Sequence, residues 1–232
     1  MQEFITLPCV NGTDRKARVL DVAEVVALEQ RIASEGTSLL ELMTRAGSAL
    51  SQAVGKATPN GRVVVLAGSG NNGGDGWVTA AKLVEAGCDV ILVTKTTPAE
   101  LNAEPARTAA LDTFARGGFE VLVAPDRQKL ARVLKGASVI IDAILGTGFA
   151  HDQIREPYNW WIQLANAARS EHGATIVAAD CSSGLDAQTG VSASECIEAD
   201  VTVTMLAPKV GLLEPTAQSY VGSLVLAPLI EE

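Results

Sequence analysis

Seven short, mostly apolar runs alternate along the chain with segments that have the spacing of helices. The runs predict strands at 62–67, 89–94, 119–123, 138–142, 174–179, 200–204 and 222–226. Within them, Val139–Ile141 and Ile176–Ala179 are apolar at every position, which is typical of strands buried on both faces of a parallel sheet. The pattern therefore predicts an open α/β fold with helices on both faces of the sheet.

Segments of helical spacing lie before and between these strands. A first helix is predicted from Asp21 to Ser34, with Asp21 as its N-cap. A second is predicted from Ser38 to Val54, where Ser38 and Glu41 match a capping box. Further helices are predicted near 75–86, 103–117, 127–135 and 155–170.

A single domain is the simplest organisation of these elements. The chain has no break in composition, no linker-like stretch and no internal repeat. We expect residues 19–232 to form one doubly wound, mainly parallel sheet in a Rossmann-like, three-layer αβα arrangement, with two extra N-terminal helices. Residues 1–18 contain a turn signal and are expected to form an N-terminal extension.

Charge and apolar content narrow the class of protein. Of the 232 residues, 47% are hydrophobic, and the formal net charge is −9. Such a charge argues against nucleic acid as a partner, since that binding depends on Lys and Arg. No stretch approaches the roughly 18 apolar residues of a membrane span. The four cysteines lie far apart and the first residues do not resemble a signal peptide, so we expect a cytoplasmic protein with reduced thiols and no membrane partner.

The most informative segment is Gly68–Gly76, which reads GSGNNGGDG and joins the run 62–67 to a helical segment. Glycines at a strand-to-helix turn bring bare N–H groups and a helix N-terminus together, which predicts an anion site. Asp75 has the position of an N-cap for a helix that begins there. A plain phosphate cradle needs neither Asn71 nor Asn72, so at least one polar side chain is expected to face a ligand.

Gly68, Gly70 and Gly73 also match the GxGxxG pattern of dinucleotide-binding proteins. That pattern expects an acid about 20 residues later, at the end of the next strand, for the ribose 2′-hydroxyl. Here the strand ends at Thr94 and Lys95 follows, so an ordinary NAD(P) oxidoreductase is disfavoured. A P-loop is excluded because no Gly-Lys-Ser/Thr ends the segment.

Two more loops have polar residues directly after apolar runs. Asp142 opens the sequence DAILGTG, and Asp180 opens DCSSGLD. Ligands of doubly wound sheets bind beyond the C-terminal ends of the strands, so we expect these loops and the glycine loop to converge on one cleft. Either aspartate alone could equally bond the turn that follows it, but together they favour roles as ligands or as general acids and bases.

Oxygen-bearing side chains in the three loops indicate a cation. Asn72, Asp142 and Ser183 together offer amide, carboxylate and hydroxyl oxygens of low total charge. Such a set suits a hard, weakly charged cation better than zinc or copper. For Lys209 two interpretations stay open: it reaches the cleft and pairs with Asp180, or it is a solvated loop residue.

These motifs are similar to those of a known family. The chain resembles the NAD(P)H-hydrate epimerases, the YjeF N-terminal domain family, over most of its length. The matching segments are Leu42–Gly47, Gly70–Gly76, Asp142–Gly148, Asp180–Asp186, Lys209–Gly211 and Tyr220–Gly222. The resemblance implies an isomerase that interconverts the R and S forms of NADH or NADPH hydrated at C6 of the nicotinamide ring.

The resemblance also implies the functional residues. Substrate-binding residues would be Asn71, Asn72, Gly73, Gly74, Asp75, Gly146, Thr147, Gly148, Phe149, Ala150, His151, Asp152 and Asp180. Potassium, one ion per subunit, would be bound by Asn72, Asp142 and Ser183. Asp180 is the expected catalytic residue, which protonates the departing hydroxyl and deprotonates the incoming water. The family further implies a homodimer and a functional partnership with a separate NAD(P)H-hydrate dehydratase.

The chain departs from the family pattern in two of these loops. Ser182 replaces a proline, so the loop is expected to be less rigid, and Ala150–Asp152 is less typical of the family. A relative of this fold serves as a non-catalytic dimerisation module in an mRNA-decapping scaffold protein, which is the alternative function. Because the asparagines, Asp142, Asp180 and Ser183 are all retained, the sequence favours an enzyme.

Overall fold

Eight strands form one sheet in the computed structural model, which describes residues 5–6, 18–55, 61–150 and 153–230. The strands are β1 (Ile5–Thr6), β2 (Val63–Ala67), β3 (Val90–Thr94), β4 (Glu120–Val123), β5 (Val139–Ala143), β6 (Thr175–Ala179), β7 (Val201–Met205) and β8 (Ser223–Ala227). All seven predicted strands are therefore confirmed to within about one residue. β1 lies within residues 1–18, where no strand was predicted, and it joins the sheet beside β8.

The strand order places the first parallel strand in the middle of the sheet. The order is β1-β8-β7-β6-β5-β2-β3-β4, and every neighbouring pair is parallel except β1 with β8. From β2 the chain first builds outward through β3 and β4, and then returns to the other side of β2 with β5. The doubly wound arrangement is confirmed, with its topological switch point between β2 and β5.

The described residues form seven α-helices. They are α1 (Val22–Ser34), α2 (Leu39–Gly55), α3 (Asn71–Glu85), α4 (Ala106–Arg116), α5 (Arg127–Lys135), α6 (Tyr158–His172) and α7 (Gln218–Val221). The six predicted helices all exist. The predicted start of α3 was wrong: Gly70 is its N-cap, and Asp75 lies inside its second turn. None of these helices is long and apolar enough to cross a membrane.

Successive residues of β2 point into two separate cores. Val63 and Val65 belong to a cluster formed with α2 and α3, whereas Val64 and Leu66 belong to one formed with α5 and α6. Because both faces of the strand are buried, its run of apolar residues needs no alternation with polar ones. The three-layer αβα architecture is confirmed.

The start of α1 is anchored beside the C-terminal ends of the strands. Asp21 accepts a hydrogen bond from the Glu24 amide at 2.7 Å, and the Glu24 side chain accepts one from the Asp21 amide at 3.0 Å. The predicted cap is thus confirmed as a complete capping box. Just before it, the Leu20 amide donates to the Pro208 carbonyl, and the Leu20 carbonyl accepts from the Val210 amide at 3.1 Å. These bonds fix α1 to the loop that carries Lys209.

A close backbone approach at the switch point explains Gly68. Its amide donates to the Ala143 carbonyl at 2.9 Å, which joins the loop after β2 to the end of β5. A Cβ atom at this position would overlap the carbonyl oxygen of Ile144. Only glycine therefore allows the two loops to lie side by side.

Gly68→Ala is expected to lower the free energy of unfolding by about 3 kcal/mol, because the backbone of Ile144 must move to admit the methyl group. Urea unfolding measures this difference. Gly148→Ala is the matched control, since an added Cβ there meets no atom within 4 Å. Its effect should stay within about 0.5 kcal/mol. Equal effects of the two substitutions would contradict the close-approach interpretation.

Candidate active site

Three loops meet at the C-terminal edge of the sheet. They follow β2, β5 and β6, which are neighbours in the sheet order β6-β5-β2. The loop after β2 leads directly into the N-terminus of α3, where Gly70 provides no side-chain cap and Asn71 is exposed. The predicted convergence of the three loops is therefore present, and the open end of α3 lies beside the switch point.

An oxygen cluster joins all three loops. It comprises the side chains of Asn72, Asp142 and Ser183 with the carbonyl of Leu145. The Asn72 amide nitrogen donates to Leu145 at 3.0 Å. Ser183 donates to Asp142 through its backbone amide at 2.7 Å and through its hydroxyl at 2.5 Å. The hydroxyl also lies 3.2 Å from the Leu145 carbonyl and accepts from the Leu145 amide at 2.8 Å.

The oxygen cluster has one buried acceptor without a partner. Asn72 Oδ1 is buried, and it makes no hydrogen bond within the described part of the chain. Buried polar atoms are nearly always satisfied, so this oxygen points to a missing donor or cation. Asp142 is fully buried, and burial raises its pKa to about 6, although the two bonds from Ser183 oppose the rise. A bound cation would satisfy Asn72 and stabilise the ionised carboxylate.

The donor set fits an alkali cation rather than a transition metal. Its members are an amide oxygen, a carboxylate, a hydroxyl and a backbone carbonyl, all of which are hard oxygen ligands. Among residues 5–6, 18–55, 61–150 and 153–230, no group of three or more His, Cys, Asp or Glu side chains is arranged to hold a metal ion. Binding of a hard, weakly charged cation by Asn72, Asp142 and Ser183 stays a prediction.

Asp180 and Lys209 form a buried ion pair at the end of β6. Lys209 is fully buried, and its ammonium contacts Asp180 Oδ1, Thr204 Oγ1 at 3.1 Å and the Met205 carbonyl at 2.9 Å. The Met205 amide also donates to Oδ1 of Asp180 at 2.9 Å. Of the two interpretations of Lys209, the structure supports the one in which Lys209 pairs with Asp180, and not the one in which it is a solvated loop residue.

Asp180 has an unusual backbone conformation. Its φ angle is 65°, in the left-handed region that residues other than glycine rarely occupy. Such strain costs roughly 1–3 kcal/mol and persists only where the surroundings hold the residue in place. Here the Asp180 amide donates to the Val203 carbonyl at 2.8 Å, and the side chain is fixed through Oδ1. Within the described residues, no hydrogen bond engages Oδ2, so that oxygen remains available to a ligand.

Two further carboxyl groups interact electrostatically with Asp180. Burial and the charge of Asp180 raise the pKa of Glu29 on α1, and Lys209 opposes that rise. Asp75 on α3 is affected more strongly: burial raises its pKa well above the usual value, and Asp180 and Glu29 raise it further. We name Glu29, Asp75 and Asp180 the carboxylate cluster.

Glu29 was missed by the sequence prediction. It lies four residues after Val25, so it falls on the half of α1 that faces the protein. An acid on the buried face of an amphipathic helix was the available signal. Asp75 was predicted to cap α3, because the low helix propensity of the glycines before it suggested that the helix begins there.

The predicted binding loop at 146–152 is only partly described. Gly146 packs against Asn72, since an added Cβ would lie 3.2 Å from the Asn72 Cβ atom. Thr147 is half-buried, and Gly148 and Ala150 are exposed, whereas the Phe149 side chain packs into the core near α6. The remaining two predicted ligands, at 151 and 152, lie outside the described residues. Substrate binding by this loop stays a prediction.

Two residues of the third loop have structural contacts. The Ser182 hydroxyl, nearly fully buried, donates to the Tyr220 carbonyl at 2.7 Å. This hydrogen bond fixes the loop to α7 at the position where the family pattern has a proline. Cys181 is also buried, and burial raises the pKa of its thiol well above the usual value. It is therefore an inert small side chain rather than a nucleophile.

Comparison with known proteins identifies the family. The sequence model of a protein family, described as the YjeF-related protein N-terminus, matches residues 39–211, which include all three loops. The chain belongs to this family. The solved structure of the yeast protein ynu0 has the same fold: it covers 90% of this chain and 87% of its own, with a TM-score of 0.74 and 23% identity.

Curated relatives of this YjeF-related chain fall into two groups. An NAD(P)H-hydrate epimerase of Pirellula staleyi is 33% identical, with 90% of this chain and 88% of the relative covered. The bifunctional NAD(P)H-hydrate repair enzymes Nnr of Pyrobaculum aerophilum and Escherichia coli are each 38% identical. These matches cover 84% and 82% of this chain, but it spans only 38% and 35% of the bifunctional relatives.

Lys209→Met is expected to lower the free energy of unfolding by about 3 kcal/mol, because it leaves a mostly buried Asp180 without its cation. Chemical denaturation measures the loss. Lys82→Met is the matched control, since Lys82 forms an exposed pair with Glu85 at 2.8 Å. That pair should contribute less than about 1 kcal/mol. A comparable loss in both variants would contradict a special role for the buried pair.

Proposed function

We propose that this protein is an NAD(P)H-hydrate epimerase. The observation that carries the proposal is the convergence of Asp180 with the oxygen cluster on one edge of the sheet, in a member of the YjeF-related family. The names of the Pirellula staleyi relative and of the two bifunctional relatives support the same activity. The proposed substrates are the R and S forms of NADH or NADPH hydrated at C6 of the nicotinamide ring.

The chemistry follows from the substituents of that carbon. C6 carries a hydroxyl group and is bonded to the ring nitrogen, so it is a hemiaminal. When the hydroxyl leaves with a proton, the nitrogen lone pair forms a C=N bond and an iminium cation results. Addition of water to the opposite face, with loss of a proton, inverts the centre. The site must therefore deliver one proton and accept one.

Asp180 is the residue that we assign to proton exchange with the reacting oxygen. Its Oδ1 is held by Lys209 and the Met205 amide, and among the described residues no hydrogen bond engages Oδ2. An anionic carboxylate in a partly dry cleft also stabilises the developing iminium cation. The strained backbone at Asp180 supports this assignment, because strain of this kind clusters at functional sites.

The neighbouring loops are assigned to substrate binding. The N-terminus of α3, with Asn71 exposed and Gly70 as its N-cap, suits the pyrophosphate of a dinucleotide. Residues 146–152 form the opposite wall in this proposal. Holding both the phosphates and the ring lowers the entropic part of the barrier. At the end of β3, Lys95 stands where hydride-transfer enzymes have an acid, which disfavours an oxidoreductase.

Asn72, Asp142 and Ser183 would hold the proposed potassium ion, one per subunit. The structural observation that supports it is the buried Oδ1 of Asn72, which has no hydrogen-bond partner among the described residues. When bound, the ion would supply a fixed positive charge that keeps the loops after β2, β5 and β6 together near an anionic substrate. We also propose that the protein is a cytoplasmic homodimer. In this proposal it works with an NAD(P)H-hydrate dehydratase, because its relatives are named bifunctional NAD(P)H-hydrate repair enzymes.

Asp180→Asn is expected to slow epimerisation by at least about 100-fold, because the amide cannot accept the proton of water. The assay supplies a mixture of epimers with a dehydratase specific for the S form and follows consumption of the R form. Asp126→Asn is the matched control: Asp126 caps α5 through the Lys129 amide, and asparagine caps equally well. An Asp180→Asn protein that folds and retains the normal rate would refute the assignment.

Potassium is expected to raise the melting temperature of the unsubstituted protein by about 4 °C at ten times its dissociation constant. Asn72→Ala should abolish the increase, because it removes the free amide oxygen. Differential scanning fluorimetry against tetramethylammonium chloride at equal ionic strength measures it. Asn71→Ala, at an exposed neighbouring position, should keep the increase. No potassium-specific shift in the unsubstituted protein would contradict the proposed site.

A further inference from the structure

We propose that the loop after β3 forms a subsite for a phosphate group on the 2′-oxygen of the adenosine ribose, so that this protein prefers hydrated NADPH to hydrated NADH. The residues of this ribose-phosphate subsite are Lys95 and Thr96 of that loop, Ser69 of the glycine loop and Tyr158 at the start of α6. The inference rests on the proposed epimerase function and adds a choice between its two substrates.

The pairing of β2 with β3 brings two loops of the subsite together. The register opposes Ala67 to Thr94, the last residues of the two strands. The residues that follow, Gly68–Ser69 and Lys95–Thr96, therefore leave the sheet side by side at its C-terminal edge. The Thr94 hydroxyl donates to the Thr96 carbonyl at 3.1 Å, which fixes the bend of the second loop.

Tyr158 connects α6 to both loops. Its hydroxyl lies 2.7 Å from the Ser69 hydroxyl, and its ring faces the Lys95 ammonium, which is 5.7 Å from the ring centroid. The ring also packs edge-on against the fully buried Trp161, with the two ring centroids 5.3 Å apart. Because an aromatic face attracts an ammonium group, Tyr158 holds Lys95 at the edge of the sheet beside the glycine loop.

The polar groups of the subsite have unused hydrogen-bonding capacity within the described residues. Lys95 is exposed, and its ammonium forms no ion pair there. The hydroxyls of Ser69 and Tyr158 share one hydrogen bond, so one hydroxyl hydrogen is left over whichever of the two donates. Thr96 Oγ1 is buried and has no hydrogen-bond partner in the described part of the chain. Because buried polar atoms are nearly always satisfied, this oxygen points to a missing partner.

A phosphate monoester is the ligand that suits these groups. An ammonium and hydroxyl donors bind phosphate well, whereas none of the four side chains is an acid that could accept the hydroxyls of an unmodified ribose. In dinucleotide-binding folds, the end of the second parallel strand lies by the 2′-position, where an acid selects a hydroxyl and a basic side chain selects a phosphate. Lys95 follows directly on the end of β3, the second parallel strand of this sheet.

The location of the subsite also agrees with that of Asp180. In the order β6-β5-β2-β3, three strand spacings, or about 14 Å, separate the loop of Asp180 from that of Lys95. An extended dinucleotide spans such a length between its nicotinamide ring and its adenosine ribose. The N-terminus of α3 follows β2 and so lies between these ends, where the pyrophosphate was placed. The ring then reaches Asp180 while the 2′-phosphate reaches Lys95.

Lys95→Met tests the preference between the two substrates. The ratio of kcat/KM for hydrated NADPH to that for hydrated NADH should fall about 5-fold, mainly through KM for the phosphorylated substrate, since an exposed ammonium contributes modestly. Lys95→Glu should lower the ratio at least about 20-fold, because its carboxylate repels the phosphate. Lys135→Met removes the same exposed charge at the far end of α5 and should leave the ratio in place. An unchanged ratio in Lys95→Met would overturn the inference.

Tyr158 is a positioning residue, and two substitutions separate its ring from its hydroxyl. Tyr158→Phe keeps the aromatic face beside Lys95, so most of the preference should remain. Tyr158→Leu removes that face and should lower the ratio about as much as Lys95→Met does. The same ratio in the Phe and Leu variants would contradict the positioning role.

Binding without turnover separates the subsite from the proposed function. In isothermal titration calorimetry, NADP⁺ should bind the unsubstituted protein about 5-fold more tightly than NAD⁺, and Lys95→Met should remove the difference. A protein that is inactive on the epimers but shows this Lys95-dependent difference would refute the proposed function and support the subsite. Epimerisation of both substrates with the same ratio in the unsubstituted protein and in Lys95→Met would refute the subsite alone.

Discussion

The parallel pairing of β2 with β5 is the constraint on which the site depends. It makes neighbours of two strands that are separated along the chain by two further strands and their helices. The Gly68 amide continues this pairing past the end of the sheet by donating to Ala143. As a result, the oxygen cluster draws its members from loops that no short segment of sequence could bring together.

The oxygen cluster and the carboxylate cluster differ in their electrostatic character. The oxygen cluster is rich in acceptors and contains an oxygen for which the described residues provide no donor, so it favours an added positive charge. The carboxylate cluster interacts with the cation Lys209, which pairs with Asp180, while the pKa values of Glu29 and Asp75 remain raised by burial and by the charge of Asp180. Both arrangements lower the free energy of unfolding. This is common at functional sites, because residues that serve function are often not the most stabilising ones at their positions.

The sequence predicted the fold well because the fold depends on strong, local signals. The apolar strands were located to within about one residue, and Asp21 was recognised as a cap because capping chemistry is confined to four residues. The start of α3 was mispredicted because glycine has little preference for helix, and the contact with Ile144 that selects Gly68 is not local. Convergence of the three loops followed from a general rule of doubly wound sheets.

Individual side chains of the site were harder to predict. Whether Lys209 is solvated or buried depends on Thr204 and Met205, which gather around it only after β7 has joined the sheet. Glu29 lies in no motif, and its electrostatic interaction with Asp180 depends on the direction in which α1 leaves its anchor at Leu20. Long-range electrostatic partners of this kind are set by tertiary packing rather than by spacing along the chain.

The bridge between Leu20 and Lys209 has a consequence for how such domains are delimited. The match to the family model begins at residue 39, but residue 20 is already joined to the loop that carries Lys209. Segments upstream of a motif are often treated as interchangeable leaders when domains are trimmed or fused. In this fold, the residues that precede the match hold the backbone on both sides of Lys209, so a boundary drawn at residue 39 would remove the contacts that fix the partner of Asp180.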